Sequence, residues 1–589
     1  MVVPRANGEG AVYPTQTLIQ RLIELYRIDE SEFKYSRHVI GAGRKIRILM
    51  IGAGITGIGA VKIFKEMFPD RDAELVIYEK NSDVTGTWLE SRYPGCACDV
   101  PAHAYGYSWE GNPRWSRAYV GAVELYDYFK GRAYSYGIDE FLHLENQVTS
   151  AAWNDQSGKW TIQVLDRRTG LTFSDEGEIL INACGFLNSW KWPEVPGLHD
   201  FKGKLLHSAS WDESYDFQDK TVVVIGAGSS AIQIVPQLQP KVKHMFTVVR
   251  SKTWIIPEFG GEFAPEGRES SFSEAQQSEW ENNKDAYFEY RGRVESSVNN
   301  IFDMMYKGSA SQTWAFENFS RTMRERLGHN EELIQKLVPS FEVACRRPTP
   351  GHGYLEALTA PNVTVTNSAI ECVTSSGLCM AGGTFLEVDA IICATGFDTS
   401  FRPGFPVTGL EQDLREMWKD EPRSYLSIAA AGIPNYFIMS GPNFALSNGA
   451  LIPCLEANIK YAFSAVKKIQ HDSIKSLAPK REAVDDFQQY KDSLMNDLVW
   501  TGSCVSWYKN GKQNGKVWGP WPGSSLHYLE ALSVPRWEDY DIKYLRKNRF
   551  AYFGDGRTRR EREGRDLAHY LKETKISGSK VGSVNTSRL

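Results

Sequence analysis

The chain has 589 residues, more than one compact core holds, and this predicts two or three domains. Apolar residues make up 42% and charged residues 24%, a globular balance that excludes a disordered chain. With 67 Lys and Arg against 72 Asp and Glu, the net charge is −5, which argues against a nucleic-acid partner.

Residues 14–36 set Leu18, Ile19, Leu22, Ile23, Leu25 and Tyr26 at helical spacing and predict a helical extension over residues 1–44. Ile46 to Ile51 then reads as a strand, 55–67 as a helix and Leu75 to Tyr78 as a second strand, together a βαβ unit. Another unit starts with a strand at Thr221 to Ile225. It continues in a helix to about Leu238 and closes on a strand from Met245 to Val249. Residues 261–340 are rich in Glu, Ser, Gln and Asn and predict a helical insertion. Strand-like sequence returns at Val363 to Val365 and at Ala390 to Ala394. Residues 555–589 form a charged tail, predicted as a helix and a loose end. The fold class is therefore α/β, with two Rossmann-like dinucleotide-binding domains and a helical insertion in the second.

Each βαβ unit carries a glycine-rich turn between its first strand and its helix. The first is Gly52-Ala53-Gly54-Ile55-Thr56-Gly57. The first glycine makes the tight turn, the second admits a pyrophosphate, and the third lets helix and strand pack. Glu79 ends the next strand, where a carboxylate can accept from a ribose 2′-hydroxyl. That pattern suits FAD. The second turn is Gly226-Ala227-Gly228-Ser229-Ser230-Ala231. Here the next strand ends on Arg250, followed by Ser251, with no acid. Positive charge suits a 2′-phosphate, so this site predicts NADPH over NADH. The expected partition is an FAD-binding domain at 45–196 and 391–554 and an NADP-binding domain at 197–260 and 341–390.

Further motifs resemble one family. Phe201-Lys202-Gly203-Lys204-Leu205-Leu206-His207-Ser208-Ala209-Ser210-Trp211-Asp212 is similar to the fingerprint of flavin-dependent Baeyer–Villiger monooxygenases at every fixed position. Gly86-Thr87-Trp88 with Arg92-Tyr93-Pro94-Gly95-Cys96-Ala97-Cys98-Asp99 resembles a second element of that family. Arg346-Arg347-Pro348 and Ala394-Thr395-Gly396-Phe397-Asp398 resemble two more. The resemblance spans roughly residues 45–540.

The resemblance implies a ketone substrate and O2, with an oxygen atom inserted beside the carbonyl to give an ester or lactone through a C4a-peroxyflavin. It implies that Arg347 is a fixed cation beside the flavin and that Asp99 orients it. It also implies Thr87, Trp88 and Tyr105 near the flavin, and Trp507 on a loop closing over the nicotinamide. The residues Lys509-Asn510-Gly511-Lys512 depart from the family's usual pattern after that tryptophan. Arg346 stands where the family has lysine and keeps a charge for the 2′-phosphate. The rival reading is an N- or S-oxygenating flavin monooxygenase, which should lack the Arg347 and Asp99 elements. A disulfide oxidoreductase would need a redox cysteine pair that Cys96-x-Cys98 does not supply.

The nine cysteines fall at irregular spacings and predict no zinc set. Their odd count suits a reducing compartment better than a disulfide framework. No apolar run is long enough for a transmembrane helix, and Met1 to Tyr13 lacks a signal-peptide pattern. Ser587-Arg588-Leu589 is similar to a peroxisomal address, so the expected location is cytoplasmic or peroxisomal. The expected assembly is a monomer or weak homo-oligomer.

Overall fold

The computed structural model describes residues 35–571 apart from 41, 43, 71 and 445–447. The predicted N-terminal helix, the loose C-terminal end and the terminal tripeptide lie outside the described residues.

Two five-stranded parallel sheets position the chemistry. Their strands in chain order are β1 (Ile46–Ile51), β2 (Ala73–Tyr78), β3 (Leu142–His143), β4 (Ile179–Asn182) and β5 (Lys204–His207). Then come β6 (Thr221–Ile225), β7 (His244–Val248), β8 (Val363–Thr366), β9 (Ala390–Cys393) and β10 (Tyr436–Ile438). The first sheet has the order β10-β4-β1-β2-β3, and the second has β8-β7-β6-β9-β5. The register pairs Ile46 with Ala73 in the first and Thr221 with His244 in the second.

The central strands are continuous apolar runs because both faces of a parallel sheet are covered. Ile48, Leu49 and Met50 of β1 and Val222, Val223 and Val224 of β6 have no exposed surface. Each such side chain contributes roughly 1.5–3 kcal/mol on burial. Helix α1 (Ile55–Met67) follows β1, and α2 (Ser229–Leu238) follows β6. The predicted strands are displaced by only one or two residues: β2 starts at Ala73 and β7 ends at Val248.

Four of the helices between β7 and β8 are α3 (Glu274–Asn282), α4 (Lys284–Asn299), α5 (Ala310–Arg326) and α6 (Glu331–Leu337). Polar side chains start all four. Ser273, Asn283, Ser309 and Asn330 each accept a backbone N–H of the first turn. A four-stranded sheet joins Val407–Thr408 to an antiparallel meander of Asn146–Asn154, Lys159–Asp166 and Thr172–Gly177. These elements belong to one compact unit, residues 45–469 and 475–543.

Among the described residues, a second unit gathers those of 35–44, 470–474 and 544–571. In its described part, α7 (Arg559–Glu563) starts with a capping box between Thr558 and Glu561. Arg562 Nη2 there donates to the Arg37 carbonyl at 2.6 Å. Among the described residues, no helix is long and apolar enough to cross a membrane.

Candidate functional site

The first glycine-rich turn is fixed by two of its glycines and left open by the third. Gly52 has φ +108°, and a Cβ there would lie 2.6 Å from the Ala183 carbonyl oxygen. A Cβ on Gly57 would lie 2.4 Å from the Gly52 carbonyl oxygen. A Cβ on Gly54 would meet nothing nearer than the Gly86 Cα at 3.8 Å, so backbone at the start of α1 is open to close approach.

Glu79 is buried just past β2. Its Oε2 accepts the Ala53 N–H at 2.8 Å and its Oε1 accepts the Asn81 N–H at 2.9 Å. Burial raises its pKa above the usual carboxylate range, and the two backbone donors oppose that rise. A carboxylate has about four acceptor positions, so two bonds leave capacity for a ribose hydroxyl. Thr85 donates its N–H to the Ala53 carbonyl, and its buried hydroxyl has no protein partner. The open Gly54, the acceptor capacity of Glu79 and the orphaned Thr85 hydroxyl fit a dinucleotide at this turn. Thr87 and Trp88 begin the helical turn Thr87–Glu90 beside it, and the Trp88 ring meets Tyr105 edge-on at 5.7 Å.

The second turn repeats the backbone device. Gly226 has φ +123°, and a Cβ there would lie 2.4 Å from the Ala394 carbonyl oxygen. A Cβ on Gly228 would meet nothing within 4 Å. Ser229 and Ser230 begin α2, and the Ser229 hydroxyl lies 3.1 Å from that of Thr349. Beyond β7, Arg250 is exposed and Ser251 half-buried. Arg346 comes alongside and donates from Nη1 to the Lys252 carbonyl at 3.1 Å. Burial lowers the Arg346 pKa, and the charge of Arg250 lowers it further. Among the described residues neither cation has a carboxylate partner. Two guanidinium groups within electrostatic reach of each other fit a dianionic phosphate.

Arg347 and Asp99, 248 positions apart, meet as an ion pair with Nη2 2.7 Å from Oδ2. The negative charge of Asp99 raises the Arg347 pKa above its already high ordinary value. The Arg347 side chain keeps 34% of its surface accessible, and one ion pair leaves donors of the guanidinium unused. Tyr105 lies within electrostatic reach of both members of the pair. So does Tyr508, which the sequence reading did not single out; it is 2% exposed. Its neighbour Trp507 stacks on Phe186 at 5.6 Å, and Phe186 stacks on Phe401 at 5.6 Å.

The fingerprint histidine has a fastening role. His207 Nδ1 accepts the Ala209 N–H at 3.1 Å, which assigns the ring proton to Nε2, 3.2 Å from the Thr395 hydroxyl. Trp190 stacks on the ring at 4.4 Å, and burial lowers the His207 pKa to about 4. The neutral ring thus ties the end of β5 to the segment by which the chain leaves β9. Trp211 stacks on Phe217 at 5.6 Å.

One expectation is corrected. The cysteines are not all free: Cys345 and Cys504 form a disulfide across 159 positions, with Cα atoms 6.1 Å apart. Irregular spacing gives no sign of such a pair, because only the fold brings the two segments together. The other seven cysteines form no disulfide.

Two parallel sheets, each ending in a glycine-rich turn, define a protein built to hold two dinucleotides, with a paired arginine between aromatic side chains. Residues 45–265 match the family described as flavin-binding monooxygenase-like. The FAD-binding monooxygenase tazF of Aspergillus terreus is 39% identical over 534 residues, covering 90% of this chain and 95% of that protein. A Baeyer-Villiger monooxygenase of Streptomyces coelicolor is 32% identical over 488 residues, covering 82% and 90%. Cyclohexanone monooxygenase from Rhodococcus sp. Phi1 bound to NADP+ has the same fold, with a TM-score of 0.73 at 23% identity, covering 85% of this chain and 100% of that one. The chain belongs to the flavin-dependent Baeyer–Villiger monooxygenase family.

Proposed function

We propose that this chain uses FAD, NADPH and O2 to insert one oxygen atom beside a ketone carbonyl, giving an ester or lactone. The observation that carries the reading is the Arg347–Asp99 pair at 2.7 Å with the arginine side chain still partly accessible. In this reading Gly52, Gly54, Gly57, Glu79, Thr87, Trp88 and Tyr105 hold FAD. Gly226, Gly228, Ser229, Ser230, Arg250, Ser251 and Arg346 hold NADPH, with Trp507 over its nicotinamide end.

When bound, the reduced flavin supplies the activation of O2 and NADPH supplies the electrons. The protein's own contribution is electrostatic. Insertion beside a carbonyl needs an oxygen nucleophile, and negative charge on oxygen is favoured by a nearby fixed cation. Arg347 serves because a guanidinium keeps its proton throughout the working pH range. Asp99 takes one N–H and so orients the group, leaving the other donors for the reacting oxygen. N- or S-oxygenation needs an electrophilic, protonated oxidant, which a permanent cation disfavours.

The test is a panel of cyclic and linear ketones, amines and sulfides, each with NADPH and isotopically labelled O2, read by mass spectrometry. Labelled ester or lactone from a ketone supports the reading. Oxygenation of amines and sulfides alone overturns it.

A further inference from the structure

Arg347 has its anion, Asp99, on one edge. Tyr508 lies within electrostatic reach of the guanidinium, and its backbone is held at both ends. Ser506 Oγ accepts its N–H at 3.2 Å, and its carbonyl accepts N–H donors from Trp518 at 3.0 Å and Gly519 at 3.2 Å. The next residue, Lys509, is buried and donates from Nζ to the Gly502 and Gln513 carbonyls at 2.6 and 2.7 Å. The loop is thus knit internally from Gly502 to Gly519. Its ring shares one apolar cluster with Val343, Ala344 and Trp500, so the loop and the Arg347 segment have a common core.

A covalent bond joins the same two segments. Cys345 precedes Arg347 by two residues and Cys504 precedes Tyr508 by four, and both are buried. The cross-link therefore sets the separation between the chain that carries the guanidinium and the chain that carries the phenol.

We propose that Tyr508 is a positioning residue for Arg347, held against it by the Cys345–Cys504 cross-link. The proposal rests on the Baeyer–Villiger reading above. The physical logic is one of charge. A second carboxylate beside Arg347 would cancel the positive charge the reaction uses. A phenol is neutral, and burial raises the Tyr508 pKa so that it remains so. It restrains the guanidinium without spending its charge. With Asp99 alone, the group can pivot about one contact; a neutral neighbour on the cross-linked loop narrows that freedom.

Three holoenzymes test this: wild type, Tyr508→Phe, and Cys345→Ser with Cys504→Ser. The readouts are flavin content, NADPH KM, ester formed per NADPH consumed, and deuterium exchange of peptides covering 340–350 and 502–519. Tyr508→Phe keeps the ring, so flavin content and NADPH KM should stay within about twofold of wild type. Ester per NADPH should fall about tenfold, and exchange of the 340–350 peptide should rise. The double serine variant should show the same fall, with faster exchange in both peptides. Combining the three substitutions should cost less than about twofold more, because both changes act through one placement.

Dithiothreitol provides the chemical version. Its thiolate attacks one sulfur and displaces the other as a cysteine thiolate. Its second thiol then closes the reagent's own cyclic disulfide, leaving Cys345 and Cys504 as thiols. Denatured protein should alkylate at seven cysteines before this treatment and at nine after it. Nine without reductant overturns the cross-link. Unchanged ester per NADPH and unchanged exchange in Tyr508→Phe overturn the positioning role. So does a raised NADPH KM with no change in exchange, which assigns Tyr508 to the nicotinamide instead. If wild type makes no ester from any ketone, the functional reading fails by itself. The exchange of the 340–350 peptide still judges the placement, and no rise there overturns it.

Discussion

The turn after β1 and the turn after β6 use one backbone device and meet opposite charges. Gly52 and Gly226 both take positive φ, and a Cβ on either would strike a carbonyl oxygen of the strand beside it. Gly54 and Gly228 are both open. Past the second strand the two part. Glu79 is buried and braced by two backbone donors, whereas Arg250 is exposed and joined by Arg346 from a distant segment. Backbone geometry makes a pyrophosphate site, and the side chain one strand later selects the dinucleotide. At the first turn the selecting side chain is buried and doubly hydrogen-bonded. At the second turn it is a cation in reach of solvent.

The same substitution at the two turns should separate their roles most sharply. Gly52→Val should abolish flavin binding, because strain at positive φ adds about 1–3 kcal/mol to a direct backbone collision. The purified protein would be colourless. Gly226→Val should remain yellow and lose reduction by NADPH. If both variants lose flavin alike, the division of labour is wrong.

A smaller effect is expected at the cations. Arg346→Ala or Arg250→Ala removes a charged hydrogen bond worth about 2 kcal/mol, so NADPH KM should rise roughly 30-fold. NADH turnover should change little, because it carries no 2′-phosphate. An equal rise for both nucleotides would contradict the assignment.

A last effect, on stability rather than binding, concerns His207, which ties the end of β5 to Thr395 just past β9. Its folded pKa is about 4 against an ordinary 6.5. Below pH 6.5 the unfolded chain binds a proton that the folded chain refuses. The neutral ring's contribution is therefore complete above pH 6.5, declines as pH falls and levels off below about 4. Thermal midpoints should drop across that window, and His207→Gln should flatten part of the drop. His103, lowered to about 3 by burial, continues the slope in both proteins.

Much of this was legible in the sequence. Continuous apolar strands such as Ile46–Ile51 and Thr221–Ile225, each followed by glycines at fixed offsets, signal a Rossmann unit because local chemistry alone dictates it. Glu79 and Arg250 were legible because their position follows from strand length. The meeting of Arg347 with Asp99 was an expectation from resemblance only, since no local rule links residues 248 positions apart. Tyr508 and the Cys345–Cys504 bond were not legible. Both depend on a loop folding back onto a segment more than 150 positions away, and nothing in their immediate neighbours marks them.

The central claim is that a permanent cation held by Asp99 makes the oxygenation possible. Arg347→Ala tests it, with flavin content, NADPH-driven flavin reduction and ester yield measured on one preparation. The account predicts a yellow protein that NADPH still reduces, with ester formation down by roughly 100-fold to 1,000-fold. A variant that makes ester at the wild-type rate would contradict it.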